Sequence, residues 1–101
     1  MSNAVWFISY KLIKGASVPD FLAALEKCNN EVLSKQKGFI SWKVLSCDDT
    51  WVDLVTLETM EDAMNAENSD AEPHPIAQAF YSFINPSTLK MRAYTVEKSY
   101  N

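Results

Sequence analysis

The sequence predicts an α+β domain in which two βαβ-like halves share one sheet, and three observations carry that prediction. Four stretches of strand length are rich in β-branched and aromatic residues. Amphipathic stretches between them repeat apolar residues every three or four positions. The two kinds follow one another as β-α-β-β-α-β, the split βαβ order of ferredoxin-like folds with a four-stranded antiparallel sheet. At 101 residues the chain suits a single domain, 1–101.

Ala4 to Ile13 (AVWFISYKLI) is the first strand. Its even positions, Ala4, Trp6, Ile8, Tyr10 and Leu12, are continuously apolar, while Ser9 and Lys11 interrupt the odd ones. Lys14-Gly15 ends it. Ser17, with Asp20 three positions on, has capping-box spacing, and Pro19 is tolerated in a first turn whose amides have no intrahelical acceptor. Val18, Phe21, Leu22, Leu25, Cys28, Val32 and Leu33 then recur at helical steps, predicting a helix over about 18–37 that Gly38 closes.

Phe39 to Cys47 and Trp51 to Glu58 read as a hairpin joined through Asp48-Asp49-Thr50. Thr59, with Asp62 three positions on, repeats the capping signature and opens a short helix through Met60, Ala63, Met64 and Ala66. Glu67 to Glu72 reads as an acidic loop. Pro75 sits at a first helical position, Ile76 to Ile84 follow in helical register, and Asn85-Pro86 stops them. Leu89 to Glu97 is the fourth strand.

Composition excludes several partners. Thirteen Asp and Glu against nine Lys and Arg give a net charge of -4, with Arg92 the sole arginine, a poor basis for neutralising nucleic-acid phosphates or an anionic membrane surface. Cys28 and Cys47 match neither a zinc knuckle nor a redox dithiol, so both are expected as thiols, and no metal is expected. No apolar run approaches the roughly 18 residues that span a bilayer, and the chain lacks a secretory signature. A cytoplasmic protein is the expectation.

Both faces of the hairpin strands are apolar: Ile40, Trp42 and Val44 on one, Phe39 and Leu45 on the other. Helices in so short a chain cover one face of four strands. The second face is therefore expected to meet another subunit.

Several segments also resemble a known family. They are Lys14-Gly15 before the first helix, Gln36-Lys37-Gly38-Phe39-Ile40 leading into the second strand, Trp51-Val52-Asp53, and Phe80 to Pro86. Over nearly its whole length the chain is similar to the dimeric α+β-barrel superfamily, most of all to the branch related to antibiotic-biosynthesis monooxygenases. The resemblance implies a homodimer whose two sheets close into an α+β barrel. It further implies helices outside and a small-molecule cavity in each subunit between sheet and helices. The superfamily spans cofactor-independent monooxygenases of aromatic polyketides, haem-degrading enzymes, isomerases, dehydratases and proteins with no reaction, so fold alone does not fix activity. Haem-degrading members carry a Trp at the end of the third strand and an iron-ligating helix His. Here Leu57 precedes Glu58-Thr59, and the sole histidine lies before the last helix. Haem is not expected, and the resemblance implies no cofactor.

Cofactor-free oxygenation needs a dry pocket and a few polar groups, since the substrate's own carbanion reduces oxygen. His74, as the only histidine, is the default general base, set against a plain role as an N-cap or loop residue. Tyr10 either hydrogen-bonds a ligand or satisfies itself inside the fold. Asp53, an acid in an apolar strand, is exposed at an edge, paired across the dimer with Lys43 or Arg92, or a functional carboxylate, with pairing favoured. For ligand contact the aromatic and thioether surfaces are Trp6, Trp42, Met60, Met64, Phe80 and Phe83, with Trp51 beside them, each equally suited to core packing. The acidic run Glu58, Glu61, Asp62, Glu67, Asp70 and Glu72 lacks metal-ligand spacing and reads as solvated. Two functions stay open: a monooxygenase-like enzyme acting on a small aromatic or apolar molecule, and a non-catalytic ligand-binding or dimeric interaction protein.

Overall fold

Period two in β1 (Ala4–Lys11) turns Ala4, Trp6 and Tyr10 inward, and this strand lies at the middle of the sheet. It pairs antiparallel with β3 (Thr50–Leu57) and with β4 (Lys90–Thr95), and β3 pairs antiparallel with β2 (Phe39–Cys47). The strand order is β2-β3-β1-β4. Helices α1 (Val18–Glu31), α2 (Met60–Asn68) and α3 (Pro75–Tyr81) supply the crossovers, completing the expected β-α-β-β-α-β arrangement. The computed structural model describes residues 2–68 and 74–101, without the side chains of residues 67 and 68. Most of the acidic loop expected at Glu67 to Glu72 lies outside the described residues, whereas α2 reaches Asn68.

The helix starts follow the capping chemistry. Ser17 Oγ accepts the Asp20 N–H at 3.3 Å, and Thr59 Oγ1 accepts the Asp62 N–H at 3.0 Å. Helix α1 ends at Glu31, short of the expected stop. Asn29 and Asn30 are poor helix formers, Ser34 Oγ donates to the Asn30 carbonyl at 3.1 Å, and Leu33–Lys35 tighten into a 3-10 turn. Gly38 follows at φ +81°, where an added Cβ would collide with the Asp62 carboxylate. Only glycine fits both that backbone and that contact. At the other crossover α3 stops at Tyr81 because the next residues are taken by the end of β1. Ile13 N–H donates to the Phe83 carbonyl and Asn85 N–H to the Lys11 carbonyl, each at 2.9 Å, with a bridge between Leu12 and Ile84.

One register detail corrects the alternation expected in β2. A bulge between Phe39 and Ser41 leaves Ile40 as the extra residue, so Phe39 packs inward against Leu57 while Ile40 is exposed. Downstream, Trp42 and Val44 keep the inward face opposite Val55 and Asp53.

All the helices lie on the inward face. One packed group centres on Phe21, with Tyr10, Leu25, Cys28, Ala77, Phe80 and Ile84; the other on Leu57, with Ala4, Trp6, Val55 and Ala63. Ile8 and Trp42 touch both. Phe21 is fully buried and meets Trp51 edge-on at 5.1 Å and Phe80 stacked at 5.7 Å, so its burial contributes on the order of 3 kcal/mol. Cys28 is buried, Cys47 is exposed, and no disulfide joins them.

The opposite face carries Val5, Phe7, Val52, Leu54, Leu45 and Tyr94, flanked by Lys43 and Arg92. Phe7, Leu45 and Tyr94 are each about half exposed, at 43%, 46% and 52%. No described element covers this face.

Candidate functional site

Strand pairing assembles the site from the inward face of β1, β2 and β3. Asp53 sits opposite Ile8 of β1 and Val44 of β2, and Tyr10 sits opposite Trp51. Tyr10 and Asp53 are thus diagonal same-face neighbours, a separation that tyrosine's length can bridge. The Tyr10 hydroxyl donates to the Asp53 carboxylate, 2.9 Å from Oδ1 and 3.0 Å from Oδ2. Both side chains are essentially sealed, each at 1% exposure. Trp42 brings a third polar group. Its indole N–H is buried without a completed hydrogen bond, yet lies close enough to Asp53 to favour the carboxylate.

The electrostatics of this trio follow from burial. Removing Asp53 from water disfavours its charged form and pushes its pKa up to about 6, although the Tyr10 hydroxyl and the Trp42 N–H both pull the other way. Tyr10 is driven above the ordinary phenol range, first by burial and then by the neighbouring Asp53 charge. Tyr10 therefore remains a protonated donor. Asp53 can accept and return a proton near neutral pH, the property a general base needs.

Beside Asp53 lies a cavity of about 130 Å³. Trp6, Ile8, Trp42, Val55 and Phe80 form apolar walls, and Asp53 and Gln36 supply polar atoms. Phe80 meets the Trp42 ring edge-on at 5.5 Å, which fixes one side of the space.

The structure therefore brings together Tyr10, Asp53, Trp6, Trp42 and Phe80 of the sequence candidates. It leaves others apart. His74 is exposed at the start of α3, where Nδ1 accepts the Ile76 N–H at 3.1 Å, an N-cap position away from the cavity walls. Met60 and Met64 pack against the Leu57 group, and Phe83 rests edge-on against Phe21 at 6.0 Å. Trp51 likewise packs on Phe21 rather than lining the cavity. The expected pairing of Asp53 with Lys43 or Arg92 is corrected by register. Lys43 stands opposite Leu54 and Arg92 opposite Phe7, so both project from the other side of the sheet. Gln36 and Met91 also line the cavity. Met91, opposite Ile8, was open to a period-two reading of β4, whereas Gln36 lies in an irregular turn that no pattern marks. Among the described residues no three His, Cys, Asp or Glu side chains come together as a metal ion requires.

Solved structures share this architecture. The chain superposes on SnoaB, a cofactor-independent oxygenase from Streptomyces nogalater, with a TM-score of 0.74 at 14% identity, covering 98% of this chain and 97% of that one. A putative antibiotic biosynthesis monooxygenase from Bordetella bronchiseptica gives 0.76 at 11% identity over 93% and 96%. The ActVA-Orf6 monooxygenase of Streptomyces coelicolor, in complex with nanaomycin D, gives 0.67 at 13% over 99% and 92%. By sequence, no family model and no curated protein matches the chain. The likeness is thus one of fold: the chain has the α+β fold of the antibiotic-biosynthesis-monooxygenase proteins, as the sequence resemblance implied.

Proposed function

We propose that this protein is a cofactor-independent, monooxygenase-like enzyme that binds a small aromatic or apolar molecule between sheet and helices. The observation that carries the reading is Asp53, a sealed carboxylate with its pKa raised to about 6, held by Tyr10 at the wall of a mainly apolar cavity. A purely structural core has little use for such a group, because burying an ionisable side chain costs stability. The fold shared with an oxygenase and with a monooxygenase holding nanaomycin D supports the same reading by analogy.

The chemistry asked of the protein is modest. Asp53 removes a proton from an activated CH2 of the substrate, and the carbanion transfers an electron to dioxygen. Recombination of the radical pair forms a C–O bond and gives a peroxide anion. Asp53 returns its proton to that anion, and loss of water from the hydroperoxide leaves a carbonyl, so that CH2 and O2 become C=O and H2O. The apolar walls beside Asp53 reduce the number of waters that can reach the carbanion.

In this reading the open sheet face meets a second copy of the chain. Phe7, Leu45 and Tyr94 form the apolar middle and Lys43 and Arg92 the polar margin, the anatomy of a self-complementary interface. The compartment is the cytoplasm expected from the sequence.

The test is oxygen uptake by the purified protein with carbon acids of one to three fused rings, aerobically and with 18O2. Uptake that needs the protein, labels the product carbonyl and disappears in Asp53→Asn supports the enzyme. Saturable binding without uptake across the whole series replaces it with the ligand-binding alternative.

A further inference from the structure

We infer that two chains meeting through the outward sheet face take up a small multivalent oxyanion of the phosphate class at the margins of that contact, in sites that neither chain completes alone. The inference rests on the outward face meeting a second copy, but not on the chemistry of the inward face.

Charge distribution comes first. The chain is acidic, with a net charge of -4, yet the outward positions of its four strands hold Lys11, Lys43, Lys90 and Arg92 and no Asp or Glu. Register fixes where these cations stand. Lys43 of β2 lies opposite Leu54, Leu54 opposite Phe7, and Phe7 opposite Arg92 of β4, so that one row across the sheet is apolar in the middle and cationic at both ends. Lys90, opposite Ser9, adds a second cation on the β4 edge. Lys11 is held by Asp49 at 3.3 Å, whereas among the described residues Lys43, Lys90 and Arg92 have no carboxylate partner. The nearest carboxylates in sequence, Asp48, Asp49 and Glu97, lie beyond the strand ends.

Symmetry then sets cation against cation. A two-fold contact uses the same patch on both chains, and stacked sheets lie about 10 Å apart, within reach of facing Lys and Arg side chains. For aligned sheets the axis through Leu54 and Phe7 runs along the strands or across them. Along them, Lys43 faces Arg92 of the partner subunit; across them, Lys43 faces Lys43 of the partner subunit. Like charges so placed oppose association. A bound anion removes the opposition, and one with two or more charges can bridge both chains. Phosphate-class oxyanions suit the pair, since Arg92 offers a planar fork of donors and lysine a compact charge. Within one chain Lys43 and Arg92 stand three strand spacings apart, roughly 14 Å, so the second copy must complete the site. That copy also covers the face, which leaves its margins to small ions rather than to a polymer or a membrane.

The dimer dissociation constant is measured by sedimentation with fluorescence detection at one fixed ionic strength, in sodium chloride, inorganic pyrophosphate or glycerol phosphate. The proteins are the wild type, Lys43→Gln and the double variant Lys43→Gln/Arg92→Gln. Pyrophosphate is expected to tighten the wild-type dimer at least about tenfold over chloride. The double variant, freed of the repulsion, should dimerise in chloride at least as tightly as the wild type and respond less than about twofold to pyrophosphate. Lys43→Gln alone should fall between the two and carries the test if the double variant does not fold. A gain with pyrophosphate alone assigns a free oxyanion, and an equal gain with glycerol phosphate assigns the phosphoryl group, free or esterified. A double variant that dimerises more weakly in chloride overturns the inference, because its cations then pair with carboxylates of the second copy. A double variant that gains as much as the wild type overturns it as well, because the effect is then a general one of the salt. A wild-type dimer indifferent to pyrophosphate removes the anion and leaves the second copy in place, whereas a wild type that stays monomeric in every salt removes both.

Discussion

The two faces of the sheet are both apolar in sequence, yet they do different work. The inward face buries a carboxylate, a phenol and an indole N–H among Trp6, Ile8, Val55 and Phe80. The outward face has no sealed polar side chain; its charges, Lys43 and Arg92, are exposed, and Arg92 rests 5.9 Å from the centre of the Tyr94 ring. Hydrophobicity alone therefore does not mark a site. What distinguishes the inward face is an ionisable group kept where its charge is costly, and the outward face is distinguished by large apolar groups left half in water.

The largest effect should come from removing the inward charge. Asp53→Asn keeps the shape and a hydrogen-bond acceptor for Tyr10 but cannot take a proton, so turnover in an oxygen-uptake assay is expected to fall by roughly a hundred- to ten-thousandfold. In the wild type the rate should rise with pH through about 6 as Asp53 ionises. An acid limb centred near the ordinary carboxylate range, or activity surviving in the Asn variant, would contradict the assignment.

The same group sets a stability trend. Its pKa is about 6 folded against 3.8 for the free side chain, so the native state holds the proton more firmly than the unfolded chain. The stabilisation is fully present below pH 3.8 and is lost as pH rises through about 6, about 3 kcal/mol in all. Urea unfolding of the wild type between pH 4 and 7, at fixed protein concentration, should show this loss. In Asp53→Asn that contribution to the slope should vanish; an unchanged slope would mean that Asp53 is not held in a charge-averse site.

How much of this contrast was legible in the sequence depends on the range of the interaction. Local chemistry was legible: Ser17 and Thr59 cap their helices at the predicted spacing, and the even positions of β1 face the core. His74 as an N-cap was one of two readings available from its place before Pro75. The bulge at Ile40 was not legible, because the apolar identity of Phe39, Ile40 and Trp42 fits either register until Leu57 fixes it. Nor was the Tyr10–Asp53 pair. Its partners lie 43 positions apart, and only the pairing of β1 with β3 makes them diagonal neighbours. From sequence alone Asp53 looked better matched to a cation, and Lys43 and Arg92 were ruled out by parity along strands whose alignment was unknown.

The outward face is tested by placing charge at its centre. Phe7→Glu should weaken self-association at least a hundredfold, since an anion replaces an aromatic anchor in a desolvated contact. Sedimentation at micromolar concentration should return a dimer for the wild type and the 11.4 kDa chain for the variant. A wild type that already sediments at 11.4 kDa would leave the second copy out of the account. Because Phe7 points away from the cavity, oxygen uptake per chain by the variant should stay within about threefold of the wild type.

The smallest effect separates a positioning role for Tyr10 from simple packing. Tyr10→Phe preserves the ring, including its edge contact with Phe21 at 6.1 Å, and removes only the hydroxyl. Burial would then act on Asp53 with one less opposing hydrogen bond, so its pKa should rise further, by about one unit if the bond is worth about 1.4 kcal/mol. The acid limb of the rate profile should move upward by that amount while the plateau at high pH falls only a few fold. A packing defect would instead lower the rate equally at every pH, because it weakens the fold without changing the balance between carboxylate and carboxylic acid. The direction of the shift thus decides whether Tyr10 serves the inward charge or merely fills space beside it.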